Sequence, residues 1–327
     1  MKLFDNLKKQ RSLLALVIAI IVLALLPITN IPPQWILYLF LLFFYLAAAN
    51  IWNLLAGYCG LISLCQPAFL GVGGYTVVFF TSYGLPWYWA IIVGGIVAAL
   101  FAAIVTIPTF RLKGIFFAIG TLIIPEILRV VMTIWKPLPL SGGGGAGYLI
   151  PGIKGVSSDL LYWMALIVGM GTFLMVRYIL YSKVGLGLAA IRDNDMAAST
   201  SGVHVSRLKF NVFIAGAFIT GIAGAIFYVY RGFIRPDAGF NLSWTVQMMV
   251  ATVIGGIGIL EGPLVGTAIV VILQFALARA SGVSMLIQGL ILIAILLVAP
   301  KGIVGTLKSI NWRRIPPKYL DESTVPK

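Results

Sequence analysis

Few residues of this chain carry the side chains that most often do chemistry. Among 327 residues it has one histidine, His204, two cysteines, Cys59 and Cys65, and nine acidic residues. A structural zinc site takes four ligands, and His204 with the two cysteines supplies only three. No apolar run holds a pair of carboxylates for acid–base work. We therefore predict that the protein is not an enzyme and binds no cofactor, and that both cysteines are small buried hydrophobic residues.

A glycine-rich run at residues 140–147 has a superficial likeness to nucleotide-binding sequences. It has the sequence LSGGGGAG, without the lysine and the Ser/Thr of a Walker A phosphate loop. No Walker A sequence occurs anywhere in the chain. We expect a flexible outer loop here, with contact to another protein as the alternative, and any nucleotide hydrolysis must occur in another polypeptide.

One interior segment is polar enough to stand apart from the rest of the chain. Asp193 or Asn194 can cap the N-terminus of a short helix, and Asp193 and Asp195 place negative charge at its positive end. Gly202 stands where a left-handed glycine would end that helix. The pattern predicts a helix of about two turns over 194–201. Such a helix is either a docking element on the inner face of a membrane or an ordinary structured loop.

The elements around this segment must be membrane helices. The chain is 61% hydrophobic and 10% charged, with a mean hydropathy of +1.05, and a soluble domain could not bury so much apolar surface. Residues 1–327 are therefore predicted to form a single all-α, polytopic membrane domain. The 23 basic residues lie mostly in short loops and at the two ends, which is typical of topology signals and not of nucleic-acid binding.

About ten apolar segments are expected to cross the bilayer. They lie at 12–29, 35–56, 67–83, 87–109, 114–135, 159–181, 208–230, 241–260, 263–280 and 284–300. The first follows a basic start without a cleavage site, so it is interpreted as an uncleaved helix and not as a signal peptide. The third, at 67–83, is short and is predicted to be broken by its glycines, which makes it a half-helix, a re-entrant piece or a tilted span.

The distribution of basic residues predicts the orientation of these segments. With ten crossings and a cytoplasmic N-terminus, most of the lysines and arginines fall in cytoplasmic loops, as the positive-inside rule requires. Both termini are then cytoplasmic. So are the polar segment 183–207, which we call the coupling segment for reasons given next, and the tail 301–327.

Several motifs, in order along most of the chain, resemble a known family. They lie at 53–75, 115–131, 186–210 and 253–266. Together they are similar to the LivM-type branched-chain amino acid permeases of ABC importers, which are binding-protein-dependent inner-membrane components. Within the third motif, residues 195–202 resemble the E-A-A-x-x-x-G coupling sequence of ABC importer permeases. Asp195 stands in the acidic place, Ala197 and Ala198 form the alanine pair, and Gly202 is the glycine.

The resemblance implies a multi-pass permease in a prokaryotic cell membrane that works by alternating access. It implies a related second permease subunit, two cytoplasmic ATPase subunits and an extracytoplasmic solute-binding protein as partners. The short helix, with Asp193 beside it, would fit a groove on an ATPase and transmit its motion. The chain departs from the family pattern at Cys65 and Gln66, where a Gly-His pair is common, and at Asp195, where Glu is common.

Four residues are candidates for the transport pathway or for a broken helix. Asn53, Gln66 and Pro67 lie beside the glycine-containing third segment, where an interrupted helix could expose backbone to substrate or could simply allow tight packing. Glu126 is the acid deepest within an apolar run. It either faces the pathway or the partner permease, or forms an internal ion pair with Arg129 three positions on.

Two other functions remain open from the sequence. A stand-alone secondary transporter or channel would need coupling-ion sites within its spans, and Glu126 alone is thin support for one. Within the family, import of urea, amides or sugars is the alternative to amino acids, since a separate binding protein would select the cargo.

Overall fold

The computed structural model describes residues 20–29, 32–135, 144–153, 155–276 and 301–313, with single positions between 286 and 299. This part of the chain is almost entirely helical. In chain order the helices are α1 (Ile20–Thr29), α2 (Pro33–Asn53), α3 (Gln66–Ser82), α4 (Trp87–Thr109), α5 (Ile115–Ile134), α6 (Ser158–Leu180), α7 (Lys183–Asp193), α8 (Asp195–Thr200), α9 (Val205–Arg231), α10 (Pro236–Gly239), α11 (Ser243–Gly255), α12 (Gly262–Ala276) and α13 (Gly302–Arg313). A π-helical turn, Leu54–Tyr58, continues α2.

Five helices are long and apolar enough to cross a membrane, which confirms an all-α, polytopic membrane protein. They are α2 with its π turn (Pro33–Tyr58), α4, α5, α6 and α9. Five of the predicted segments agree with them to within three residues at each end. The agreement is close because a run of about 20 apolar residues leaves few alternatives to a spanning helix.

Helix α9 lies at the centre of the packed bundle and contacts α2, α3, α4 and α6. Close approach of α3 to α9 depends on glycine. A Cβ atom added to Gly73 would lie 2.1 Å from the carbonyl oxygen of Gly221, and one added to Gly224 would lie 2.3 Å from that of Leu70. Small residues at such contacts let two helix backbones touch in lipid, where van der Waals packing drives association.

The glycines of the third predicted segment therefore serve packing and do not break the helix. Helix α3 runs without interruption from Gln66 to Ser82, and the non-helical stretch precedes it at residues 59–65. The prediction of a glycine-broken segment at 67–83 was wrong in this respect. The sequence shows the glycines, but only the neighbouring helix shows what they are for.

The predicted crossing at 241–260 is also wrong in length. Helix α11 has 13 residues, or about 20 Å, which is well short of the hydrocarbon thickness of about 30 Å. It ends because Gly256 adopts a φ of +123°. The backbone of Gly262 then packs against Gly255, so closely that a Cβ added to Gly255 would lie 1.8 Å from the Gly262 oxygen.

Two antiparallel strands of two residues each form the β structure of the described part. β1 (Tyr148–Leu149) pairs with β2 (Phe233–Ile234), with Tyr148 opposite Ile234. Several predictions fall outside the described residues. These are the chain before Ile20, residues 140–143 of the glycine-rich run, residues 277–280 of the segment at 263–280, about half of the segment at 284–300, and the tail beyond Arg313.

Candidate functional site

The coupling segment forms two short helices between the spans α6 and α9. The Ser182 hydroxyl oxygen caps α7 by accepting a hydrogen bond from the Val184 amide at 3.2 Å. Helix α7 ends at Asp193, and an extended residue, Asn194, separates it from α8. The predicted short helix is therefore present, one residue shorter at each end than 194–201. The 11-residue helix α7 before it was not predicted.

Both ends of α8 are capped. The Asn194 side-chain oxygen accepts hydrogen bonds from the amides of Met196 at 2.9 Å and Ala197 at 3.1 Å. Of the two predicted caps, Asn194 is therefore the one used. At the other end Gly202 adopts a φ of +85°, the left-handed conformation that ends a helix. The amide of Val203 then donates to the Ala198 carbonyl at 3.1 Å.

The two acidic residues of the segment have different positions. Asp195 opens α8, where its charge suits the positive end of the helix, and accepts from Lys209 Nζ of α9 at 2.6 Å. Asp193 instead ends α7 and pairs with its neighbour Arg192 at 3.3 Å. Asp193 is the last residue of α7 and directly precedes the Asn194 cap, so of the two predicted caps of α8 it is the one not used.

The predicted alanine pair faces in two directions. Ala198 is 2% exposed and packs inward, whereas Ala197 is exposed. Sequence reasoning missed Met196, the first exposed apolar side chain of α8, which is 78% exposed. The sequence could have indicated Met196, since it is the one long apolar side chain of α8 among small or polar neighbours. The outward face of α8 is thus Met196 with Ala197, and Ala198 anchors the helix.

A groove of about 480 Å³ lies beside the coupling segment. Its walls come from the first turns of α7 and α9, and it is open to the surroundings. Three basic or titratable side chains line it, namely Lys183, His204 and Arg207. The sequence placed these residues in a cytoplasmic loop, but the groove itself depends on how α7 packs on α9.

The C-terminal end of α2 is joined to the turn between α11 and α12. The Asn53 side chain accepts from the Gly258 amide at 2.8 Å and donates to the Ile259 carbonyl at 3.0 Å. A Cβ on Gly57 would lie 2.6 Å from the Gly258 nitrogen, and α7 packs against the same π turn. We call Asn53, Gly57 and Gly258 the joint. Asn53 is fully buried and both its polar atoms are used there, which agrees with the packing alternative for this residue.

Gln66 and Pro67 begin α3 after the non-helical stretch. Pro67 fits the first turn of a helix because the amide it lacks would have no partner there. The Gln66 side-chain oxygen accepts from the Thr220 hydroxyl at 3.1 Å, while its amide nitrogen is buried without a hydrogen-bond partner in the described residues. Both residues are buried. Glu126 lies on a different helix, α5, with its side chain 57% exposed.

The two cysteines are buried and free, as predicted. Burial raises the pKa of the Cys59 thiol to about 12, and it raises that of Cys65 further. Among the residues that the structure describes, no group of three or more His, Cys, Asp and Glu side chains could hold a metal ion.

The fold and these sites define the class of protein: a polytopic helical membrane protein with a capped helical element between two of its spans. The family of branched-chain amino acid transport system permease components matches residues 35–298, and the chain belongs to that family. Membership of a family of permease components is what the sequence motifs predicted.

Curated relatives agree with this assignment. The high-affinity branched-chain amino acid transport system permease protein LivM of Salmonella typhimurium is 24% identical over 77% of this chain and 65% of its own. The probable branched-chain amino acid transport permease protein LivM of Methanocaldococcus jannaschii is 24% identical over 66% of this chain and 67% of its own. The permease protein LivH of Escherichia coli is 30% identical over 43% of this chain and 47% of its own. No solved structure matches the chain. The chain spans 65% of the length of the first of these relatives.

Proposed function

We propose that the chain is the transmembrane permease subunit of an ABC importer for branched-chain or related amino acids. It works by alternating access in a prokaryotic cell membrane, together with a second permease, two cytoplasmic ATPase subunits and an extracytoplasmic binding protein. Membership of the family and the names of the relatives support the transport role. The second permease is suggested because both LivM and LivH proteins are similar to this chain.

The observation that carries the proposal is the construction of α8. A six-residue helix is too short to persist alone in water. Here it is capped at both ends, anchored by Ala198 and tied to α9 through Asp195. Such fixing is not needed in a passive loop, but it suits an element that is pushed by a partner. We assign Met196 and Ala197 as the ATPase-facing surface of α8, and Asp195, Ala198 and Gly202 as the residues that hold it in shape.

The position of α8 supports the direction in which force would travel. Helix α7, next to it, packs on the π turn of α2, and Lys209 of α9 binds Asp195. A displacement of α8 therefore reaches two spans of the bundle directly. The groove beside it, lined by Lys183 and Arg207, would accept acidic side chains of an ATPase.

Site-specific photo-cross-linking in the assembled complex tests this assignment. A photoreactive residue in place of Met196 is expected to cross-link to an ATPase subunit. The same residue in place of Tyr178, which is also 78% exposed but lies on the span α6, is the matched control and should not. Equal cross-linking at both positions, or none at Met196 in a complex that retains its ATPases, would refute the docking assignment.

The test of the whole function is ATP-dependent uptake by proteoliposomes that contain the chain and its partners. Ala198→Arg, which forces a charge into the buried side of α8, should abolish retention of the ATPases, whereas Ala197→Ser should preserve it. Uptake that continues without any ATPase would instead favour a secondary transporter or channel. Uptake of urea, amides or sugars in place of amino acids would change the substrate and leave the mechanism intact.

A further inference from the structure

Helix α5 is the least covered of the five spanning helices. Only 17% of its most apolar 18-residue window is buried, against 44–72% for the other four. The helix carries eight exposed large apolar side chains, namely Ile115, Phe116, Ile119, Ile123, Ile127, Val130, Val131 and Ile134. Lipid alone would be an adequate cover for such a face.

Charged side chains in the middle of this helix argue against a cover of lipid alone. Glu126 lies eight residues before the end of α5, or about 12 Å along the helix. Its carboxylate accepts from Arg129 Nε at 2.9 Å and contacts a second nitrogen of the same guanidinium. Arg129 Nη1 also donates to Asp237 of α10 at 3.0 Å. We call Glu126, Arg129 and Asp237 the ion cluster.

The cluster is exposed and not enclosed by the bundle. The side chains of Glu126, Arg129 and Asp237 are 57%, 38% and 58% exposed. A charged side chain at the centre of a spanning helix costs roughly 3 kcal/mol on insertion scales, and such residues usually face protein or a water-filled cavity. Pairing within the cluster reduces this cost, and so does Arg235, whose Nη2 lies 4.0 Å from the second carboxylate oxygen of Asp237. All three side chains of the cluster nevertheless remain partly exposed, so a lipid cover would leave charged groups in contact with hydrocarbon.

We propose that the outward face of α5, together with Asp237, is the surface that meets the second permease subunit. This inference rests on the proposed function, which supplies that subunit. The apolar side chains above and below the cluster would pack on the partner's helices, as small and apolar faces do in lipid. The ion cluster would lie in the polar, hydrated centre of the contact. Lipid and a second copy of this chain are the competing occupants.

Fluorescence quenching by brominated lipids distinguishes protein cover from lipid cover. A bimane label is attached at Ile127→Cys on α5 and, as the control, at Ile167→Cys on α6. The two side chains are 55% and 67% exposed and lie seven and nine residues from one end of their helices. Cys59 and Cys65 are buried and remain unlabelled. In the assembled complex, quenching at Ile127 is expected to be less than half of that at Ile167.

Equal quenching at the two positions would overturn the proposal, because both faces would then touch lipid. Photo-cross-linking from a photoreactive residue in place of Ile123 identifies the neighbour, because it needs no thiol on the partner. A product that contains the second permease supports the proposal, and a product of two copies of this chain overturns the choice of partner.

A functional variant separates this inference from the function on which it rests. Glu126→Leu leaves Arg129 paired with Asp237, so the fold has no new unpaired charge. At a lipid-facing site this change should leave transport unchanged or raise it. At the proposed contact it should lower transport at least severalfold while the ATPases remain bound. Loss of the ATPases from the unmodified complex would refute the proposed function, whereas lipid quenching of α5 in an intact complex would refute only the assignment of this surface.

Discussion

The cap at Asn194 should determine how well α8 transmits motion. Asn194→Ala removes the side-chain oxygen that accepts from the Met196 and Ala197 amides at 2.9 and 3.1 Å. Loss of an N-cap costs about 1 kcal/mol. Helix α8 has six residues and a single buried side chain, Ala198, so little else can compensate. A change of this size lowers the ratio of formed to frayed helix about fivefold.

The assay is amino-acid uptake per ATP hydrolysed, measured with the reconstituted complex. Asn194→Ala is expected to lower this ratio, by up to about fivefold if the formed helix is only marginally favoured. Asn194→Asp and Asn194→Ser keep an acceptor at the cap and are the matched controls, expected to stay within about twofold of the wild-type ratio. The thermal stability of the membrane bundle should not change, because α8 lies outside its core.

Two results would contradict the reasoning. If the alanine and aspartate variants lost uptake equally, the side chain of Asn194 would act by contact with a partner and not as a cap. If Asn194→Ala kept the wild-type ratio, the shape of α8 would not matter for coupling, and its role as the driven element would fail.

Three further predictions concern buried positions. Gly57→Ala places a Cβ 2.6 Å from the Asn53 oxygen and the Gly258 nitrogen, so it should lower the melting temperature of the complex. Gly171→Ala is the control, because no atom lies near the added Cβ. It should be neutral or stabilise the protein by up to about 1 kcal/mol. Asn53→Leu leaves the Gly258 amide and the Ile259 carbonyl of the joint unpaired. Each unpaired group should lower the stability by roughly 1–3 kcal/mol, measured in the same melting experiment. An unchanged melting temperature would contradict this prediction. Because burial raises the pKa of Cys59 to about 12, only about one thiol in ten thousand is ionised at pH 8. N-ethylmaleimide should therefore not label Cys59 until the protein is unfolded in detergent, and rapid labelling of the native complex would show that the thiol is accessible.

What the sequence could predict depended on how local the cause was. The long spans follow from apolar runs of bilayer length, so their ends agree with prediction. The ends of α8 were also predictable, because Asn194 and Gly202 act through their own backbone neighbourhood. The sequence could not predict that Ala198 is buried and Ala197 exposed, because that depends on which side of α8 packs against the rest of the protein.

The failures come from contacts between distant parts of the chain. Whether a glycine breaks a helix or admits a neighbour is decided by the neighbour, and Gly73 meets Gly221 nearly 150 residues away. Asn53 was a pathway candidate because it is polar within an apolar run. Its partners, Gly258 and Ile259, lie 205 and 206 residues further along, and no local pattern indicates them.

The relative strength of its two connections indicates how α8 would move the bundle. The bond from Asp195 to Lys209 is half-exposed at its acidic end, and ion pairs of this kind contribute about 0–1 kcal/mol. Such a contact can guide α8 but would break under a load much larger than thermal energy. Helix α7, by contrast, packs as a continuous element against the π turn of α2, directly beside the joint of Asn53, Gly57 and Gly258. π-helical turns are often found where helices serve a function, since their hydrogen bonding is easily rearranged. The stiff route from α8 therefore runs through α7 to the joint, and α2 and α11 are the helices that a push on α8 should move first.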